Sequence, residues 1–315
     1  MTMNSEISYV NPASFLLTGI PGLESAHSWL AGPLCVMYAV ALGANALILQ
    51  AVRVEPSLHE PMYYFLSMLS FSDVAMSMAT LPTVLRTFCL NARNIAFDAC
   101  LIQMFLIHSF SMMESGILLA MSFDRFVAIC DPLHYATVLT NEVIAGIGVA
   151  VMARSFIILF PLPFLFKRLP ICRSNVLSHS YCLHPDMIKL ACADITINSI
   201  YGFFVLLSTF GMDMIFIFLS YVLILHSVMA IASRKERLKA LNTCVSHILV
   251  VLAFYVPMIG VSVVHRFGKH APRFVHVLMS NVYLFVPPVL NPLIYSAKTK
   301  EIRRAIFRMF RPVKM

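Results

Sequence analysis

Arg266 closes the apolar run ILVVLAFYVPMIGVSVVHR and lies four residues beyond Ser262. On a helix that spacing puts the guanidinium and the hydroxyl on one face. A guanidinium fork grips a carboxylate through two parallel, charge-assisted hydrogen bonds. The pair therefore suits capture of an anionic small molecule. An arginine at a helix end also serves by snorkelling to lipid headgroups, which is the plainer reading. His108 interrupts the apolar stretch LIQMFLIHSF, which has no acid to receive an amine. Asp73 sits within another apolar run, with Asn45 and Asn291 at similar depth in the first and last runs. Together they could hold a sodium ion or a water cluster, or form a structural hydrogen-bonded knot. Glu114 is a further buried acid, read as structural with switching as the alternative. Asp124 and Arg125 form an adjacent acid–base pair at the end of a run, either a latch between helices or an interfacial anchor. The stretch CRSNVLSHSYCLH offers Cys172, His179, Cys182 and His184 to a metal. The spacing is not that of a zinc knuckle, and oxidation competes for the sulfurs. There is no HExxH pair, GxSxG elbow or glycine-rich phosphate loop, so no enzyme chemistry is indicated.

The elements that must position these groups are set by composition. The 315 residues are 59% hydrophobic and 12% charged, whereas soluble domains hold about 45–50% apolar and about 25% charged residues. Lipid is the expected solvent. Seven segments, about 29–52, 61–85, 99–123, 143–166, 199–229, 243–264 and 273–296, are long enough to span a bilayer. Prolines at 257, 287, 288 and 292 fall inside the last two. Neighbouring groups must re-satisfy the carbonyls these prolines free. The N-terminal residues MTMNSEISYVNPASF lack the layout of a cleaved signal. Lysine and arginine number thirteen in the loops and tail on the C-terminal side of the membrane and nine on the other, with Arg154 inside a span. That bias places the C-terminus inside and the N-terminus outside. The net charge of +8 is strung between spans and fits lipid headgroups; no nucleic-acid motif accompanies it. The stretch TKEIRRAIFRMF sets Ile302, Ile306, Phe307 and Phe310 against Arg303, Arg304 and Arg308, as an amphipathic helix on the membrane surface would. The expected architecture is an all-α membrane protein: a single domain over 1–315, with an extracellular 1–28, a seven-helix bundle over 29–296 and an amphipathic cytoplasmic 297–315. Cys100, Cys172, Cys182 and Cys192 then face the oxidising side, where disulfides are plausible but spacing does not fix the pairing.

Several stretches share one resemblance: PMYYFL (61–66) with LSFSD (69–73), MSFDRFVAIC (121–130), KALNTCVSH (239–247) with FYVP (254–257), and PPVLNPLIY (287–295). Together they resemble the rhodopsin-like G-protein-coupled receptors, and within these the olfactory receptors. The long loop before the fifth span and SVVHRFG further resemble the class I, fish-like branch. The resemblance covers nearly the whole chain. It implies an odorant receptor acting through a stimulatory, olfactory-type heterotrimeric G protein and cAMP, with no cofactor. It implies bridges Cys100–Cys182 and Cys172–Cys192. It implies that Asp124, Arg125, Tyr221, Tyr295 and His247 serve activation and coupling. The family pattern has tyrosine where Phe126 stands here. Carried over, the branch's acid-binding pattern makes Arg266 the counter-ion and Ser262 its helper. His108, Ser111, Met112, Leu159, Leu162, His184, Gly202 and Leu206 would line the rest, an apolar wall suited to an alkyl tail. The family's usual N-terminal glycosylation sequon is missing. The alternatives are a receptor for neutral odorants, with Arg266 a lid or lipid contact, and a small-solute transporter, for which no repeat is apparent.

Overall fold

The apolar runs become seven long helices in the computed structural model, which describes residues 12–20, 22, 27–172, 174–268 and 272–310. Within helices, the side chains of Ser28, Lys239, Thr243, Arg266, Phe267 and Arg273 lie outside the described set. The helices are α1 (His27–Val54), α2 (Pro61–Cys89), α3 (Phe97–Cys130), α4 (Asn141–Lys167), α5 (Thr196–Met229), α6 (Arg234–Phe267) and α7 (Arg273–Lys298). Each is long and apolar enough to cross a membrane. A short α8 (Lys300–Met309) follows. Every expected span falls inside its helix. α6 begins well before the expected residue 243 because its first turns are polar, and Ser233 caps them by accepting the backbone N–H of Glu236 at 3.5 Å.

α3 is the most buried span and α4 the least. Phe203, Phe204, Leu207, Phe216 and Phe218 of α5 point outward, as lipid-facing residues must. Departures from regular helix have local causes. α4 breaks at Phe160, immediately before Pro161. α5 carries a π-helical turn at Leu206–Gly211, a feature often found at functional sites. In α7, Pro292 has no N–H for the carbonyl of Pro288, and Asn45 Nδ2 of α1 donates to that carbonyl at 2.9 Å.

One end of the bundle is capped by a small sheet. β1 (Ser14–Leu17) pairs antiparallel with β2 (Asn94–Ala96) and parallel with β3 (Val176–Leu177). Phe15 and Leu17 are buried beneath it. These strands, two to four residues long, are too short for the sequence to announce. The same end holds the disulfides Cys100–Cys182 and Cys172–Cys192, with Cα separations of 5.5 and 5.9 Å. They pin the loop between α4 and α5 to the head of α3 and to itself. At the opposite end α8 buries Ile302 and Ala305, exposes Phe307 and Phe310, and ties back through Arg308 Nη1 to Glu55 Oε1 at 3.0 Å.

Candidate functional site

Beneath the disulfide-bearing cap lies a cavity of about 580 Å³. Leu159 and Leu162 of α4, Gly202 and Leu206 of α5, His108 of α3, His184 of the pinned loop and Ser262 of α6 all line it. The π-helical turn contributes both Leu206 and Phe210. The bridge at Cys182 brings the loop low enough for the backbone N–H of His184 to donate to His108 Nε2 at 3.4 Å. That contact fixes which ring nitrogen of His108 accepts. Gly202 lets His184 close in, since a Cβ there would sit 3.2 Å from its ring. The Ser262 hydroxyl donates to the Met258 carbonyl of its own helix at 2.9 Å.

Ser111 and Met112 are fully buried behind the wall and do not line the cavity. The Ser111 hydroxyl accepts the phenol of Tyr283, and it is Tyr283 that lines the cavity. The Arg266 backbone ends α6, and its side chain lies outside the described residues. Sequence reasoning missed Tyr283, Phe210, Met258, Lys189 and His265 among the lining residues. Lys189 and His265 cluster around Asp186, which takes Lys189 Nζ at 3.3 Å and His265 Nε2 at 3.0 Å. Burial alone would raise the Asp186 carboxyl. The rings of His265 and His179 in their protonated form, with Lys189, outweigh it and hold that carboxyl well below the usual carboxylate range.

Deeper in the bundle, Asn291 Nδ2 donates to both oxygens of Asp73, at 3.2 and 3.1 Å. Glu114 is a second buried carboxyl beside Asp73. Asn45 is committed elsewhere, to the backbone carbonyls of Ala41 and Pro288 at 2.8 and 2.9 Å. At the opposite end Asp124 is fully buried. It accepts Arg125 Nη2 and Nε at 2.6 and 2.9 Å, and the hydroxyl of Tyr135 at 2.7 Å. Tyr221 of α5 meets His247 Nδ1 of α6 at 2.6 Å. Tyr295 is buried, its hydroxyl 3.9 Å from Met121 Sδ.

The olfactory receptor family profile matches residues 34–312. The chain belongs to the olfactory receptor family. It is 87% identical over 305 residues to human olfactory receptor 51I2, covering 97% of this chain and 98% of that one. Human olfactory receptor 51I1 is 60% identical, over 95% of each chain, and these relatives place the receptor in the class I branch. Squid rhodopsin superposes with a TM-score of 0.76 at 18% identity, over 93% of this chain and 87% of the other. That likeness supports the seven-helix fold alone. The receptor is thus an odorant-sensing, G-protein-coupled, multi-pass plasma-membrane protein, and not an enzyme.

One network in this receptor escaped the sequence reading. Arg154 of α4 makes two bonds to Asp213 of α5, Nη1 to Oδ1 at 2.8 Å and Nη2 to Oδ2 at 2.7 Å. The Ser115 hydroxyl of α3 donates to Asp213 Oδ2 at 2.7 Å and meets the phenol of Tyr255 of α6 at 2.8 Å. Four helices are joined through one carboxylate. Gly116 makes the approach possible: a Cβ there would lie 2.9 Å from Arg154 Nη2 and 2.8 Å from Val151 Cγ1. The signal was a single cation and a single anion, each interrupting an apolar run in adjacent spans.

Proposed function

We propose that this receptor answers to carboxylic acids with an alkyl tail. The reading turns on one observation: the described residues lining the cavity include Lys189 and three histidines, His108, His184 and His265, and no carboxylate. A cavity so lined favours an anionic head over an amine. Its leucine, valine and phenylalanine walls suit hydrocarbon. Arg266 follows His265 directly in the chain and supplies the counter-ion, with Ser262 one turn below it. Ser111 and Met112 support the wall from behind. Capture of the acid draws the disulfide-bearing end together. The change passes through the Asp73, Glu114 and Asn291 cluster, a sodium or water site beside the Asn45 tie. At the far end it releases Arg125 from Asp124, with Tyr221, His247 and Tyr295 rearranging to admit a stimulatory, olfactory-type G protein that raises cAMP. In this reading residues 1–315 form one receptor domain, with 1–28 extracellular and 297–315 cytoplasmic.

The test is a dose–response panel of straight-chain acids beside their methyl esters, read as cAMP. Esters keep the tail and delete the charge. Acids should activate and esters of equal length should not. The second reading is a receptor for neutral odorants, with Arg266 only a lid or lipid contact; the leucine, valine and phenylalanine walls favour it. Equal responses to acid and ester would establish it.

A further inference from the structure

Two imidazoles and a carboxylate converge where the disulfide-pinned loop meets the end of α6. His179 and Asp186 come from the loop and His265 from the last turns of the helix. His265 Nε2 lies 3.0 and 3.2 Å from the two oxygens of Asp186. His179 Nε2 lies 2.5 Å from Asp186 Oδ2, an ionic distance but without the alignment of a hydrogen bond. One donor atom from each residue falls within 4.8 Å of the other two.

Both rings are oriented from behind. His265 Nδ1 lies 2.9 Å from the Val261 carbonyl, and His179 Nδ1 lies 2.8 Å from the Ser178 carbonyl. A carbonyl only accepts, so Nδ1 carries the proton in each ring. Nε2 of a neutral ring then presents its lone pair to Asp186. Two lone pairs aimed at one carboxylate repel it unless a cation is shared among them. Protonating both rings would set two imidazoliums against one carboxylate, in side chains only 3% exposed. One divalent cation satisfies all three donors. The backbone-bonded Nδ1–H is also the outer-shell contact that metal-bound histidines characteristically make.

We propose that His179, Asp186 and His265 bind a zinc-class divalent cation that ties the pinned loop to α6 at the rim of the ligand cavity. Two imidazole nitrogens and one carboxylate oxygen suit zinc or copper and leave a coordination position for water. The site shares only His179 with the set Cys172, His179, Cys182 and His184, whose sulfurs are closed in disulfides. Lys189 holds Asp186 Oδ1 at 3.3 Å and is half exposed, so it can swing away when the ion enters. The competing arrangement is a metal-free cluster of Lys189 and protonated histidines around Asp186.

The test uses the purified full-length receptor in lipid nanodiscs, titrated with Co²⁺ and then Zn²⁺. One Co²⁺ should bind per receptor, with the intense visible bands of a low-coordinate site, and Zn²⁺ should displace it. His179→Gln and His265→Gln should each weaken binding by at least roughly 10–100-fold, the loss typical of removing even an outer-shell partner. His276→Gln, altering the ring stacked edge-on against His265 at 5.1 Å, should leave binding unchanged. Lys189→Ala should tighten it by removing the competing cation. Failure of the wild-type receptor to take up Co²⁺ or Zn²⁺ at micromolar concentration overturns the proposal in favour of the metal-free cluster. So does full affinity in both histidine variants. Should the variants misfold, the wild-type spectrum decides alone: bands of the weak, six-coordinate aqua type overturn the site.

Discussion

Arg154 and Asp213 meet edge to edge within the bundle, with parallel bonds of 2.8 and 2.7 Å between α4 and α5. Asp213 is buried, and Arg154 leaves part of its side chain toward the lipid-facing surface. Removing one partner strands the other charge away from water. Arg154→Ala should therefore destabilise the receptor by about 3–5 kcal/mol, the cost of breaking a buried pair. Arg154→Met with Asp213→Leu should recover much of that loss, because no charge is then left unpaired. Thermal unfolding of the purified receptor in nanodiscs checks both. A double variant as unstable as the single would show that the pair is not the cause.

Asn45 predicts a second stability effect, independent of charge. Its amide supplies the donor that Pro292 cannot, at 2.9 Å from the Pro288 carbonyl. Asn45→Ala leaves that buried carbonyl without the donor, at about 1–3 kcal/mol. Asn45→Asp loses the donating amide as well, so it should not rescue. The check is a lower melting temperature in both variants with surface delivery measured alongside.

The seven spans were legible because about 20 apolar residues in a row have few other uses. The prolines also announced correctly that α7 would need outside donors, although not that Asn45 was one. What stayed hidden depends on contacts between distant segments. Asp213 and Arg154 are 59 residues apart, and their pairing follows from helix rotation, which apolar runs do not specify. Ser111 and Met112 carry the right residue types for a pocket, but Tyr283 occupies the place in front of Ser111. Lys189 reaches the cavity through a loop whose path is set by disulfides and whose sequence has no periodicity to read, while His265 enters from the last turns of α6, beyond the face the apolar run marks. The early start of α6 was missed because its first turns are solvated, so the apolar edge and the helix edge do not coincide.

Asp124 predicts a change in signalling. It is fully buried and accepts three hydrogen bonds, two from Arg125 and one from Tyr135. Asp124→Asn removes the charge that holds the guanidinium in place and should raise ligand-independent nucleotide exchange on the G protein. Tyr135→Phe removes one bond and leaves the ion pair, so its effect should be smaller and in the same direction. Basal exchange measured with purified G protein checks the order. Unchanged basal activity in Asp124→Asn would mean the pair anchors the helix end without latching it.

Arg266 carries the ligand prediction. If a carboxylate head is held by its guanidinium, Arg266→Ala should cost roughly 2–5 kcal/mol of acid affinity, about 30-fold or more in potency. Arg266→Lys keeps the charge and loses the two-pronged geometry, so it should fall between wild type and alanine. Lys189→Ala is the informative control. Lys189 also lines the cavity, yet it is paired with Asp186, so acid potency should fall less than in Arg266→Ala. The same ranking should vanish for any ester that activates, because an ester offers no charge to grip. A loss shared equally by acid and ester would point to a packing role for residue 266, and an acid response untouched in Arg266→Ala would remove it from the ligand site while leaving the cavity and its apolar walls in place.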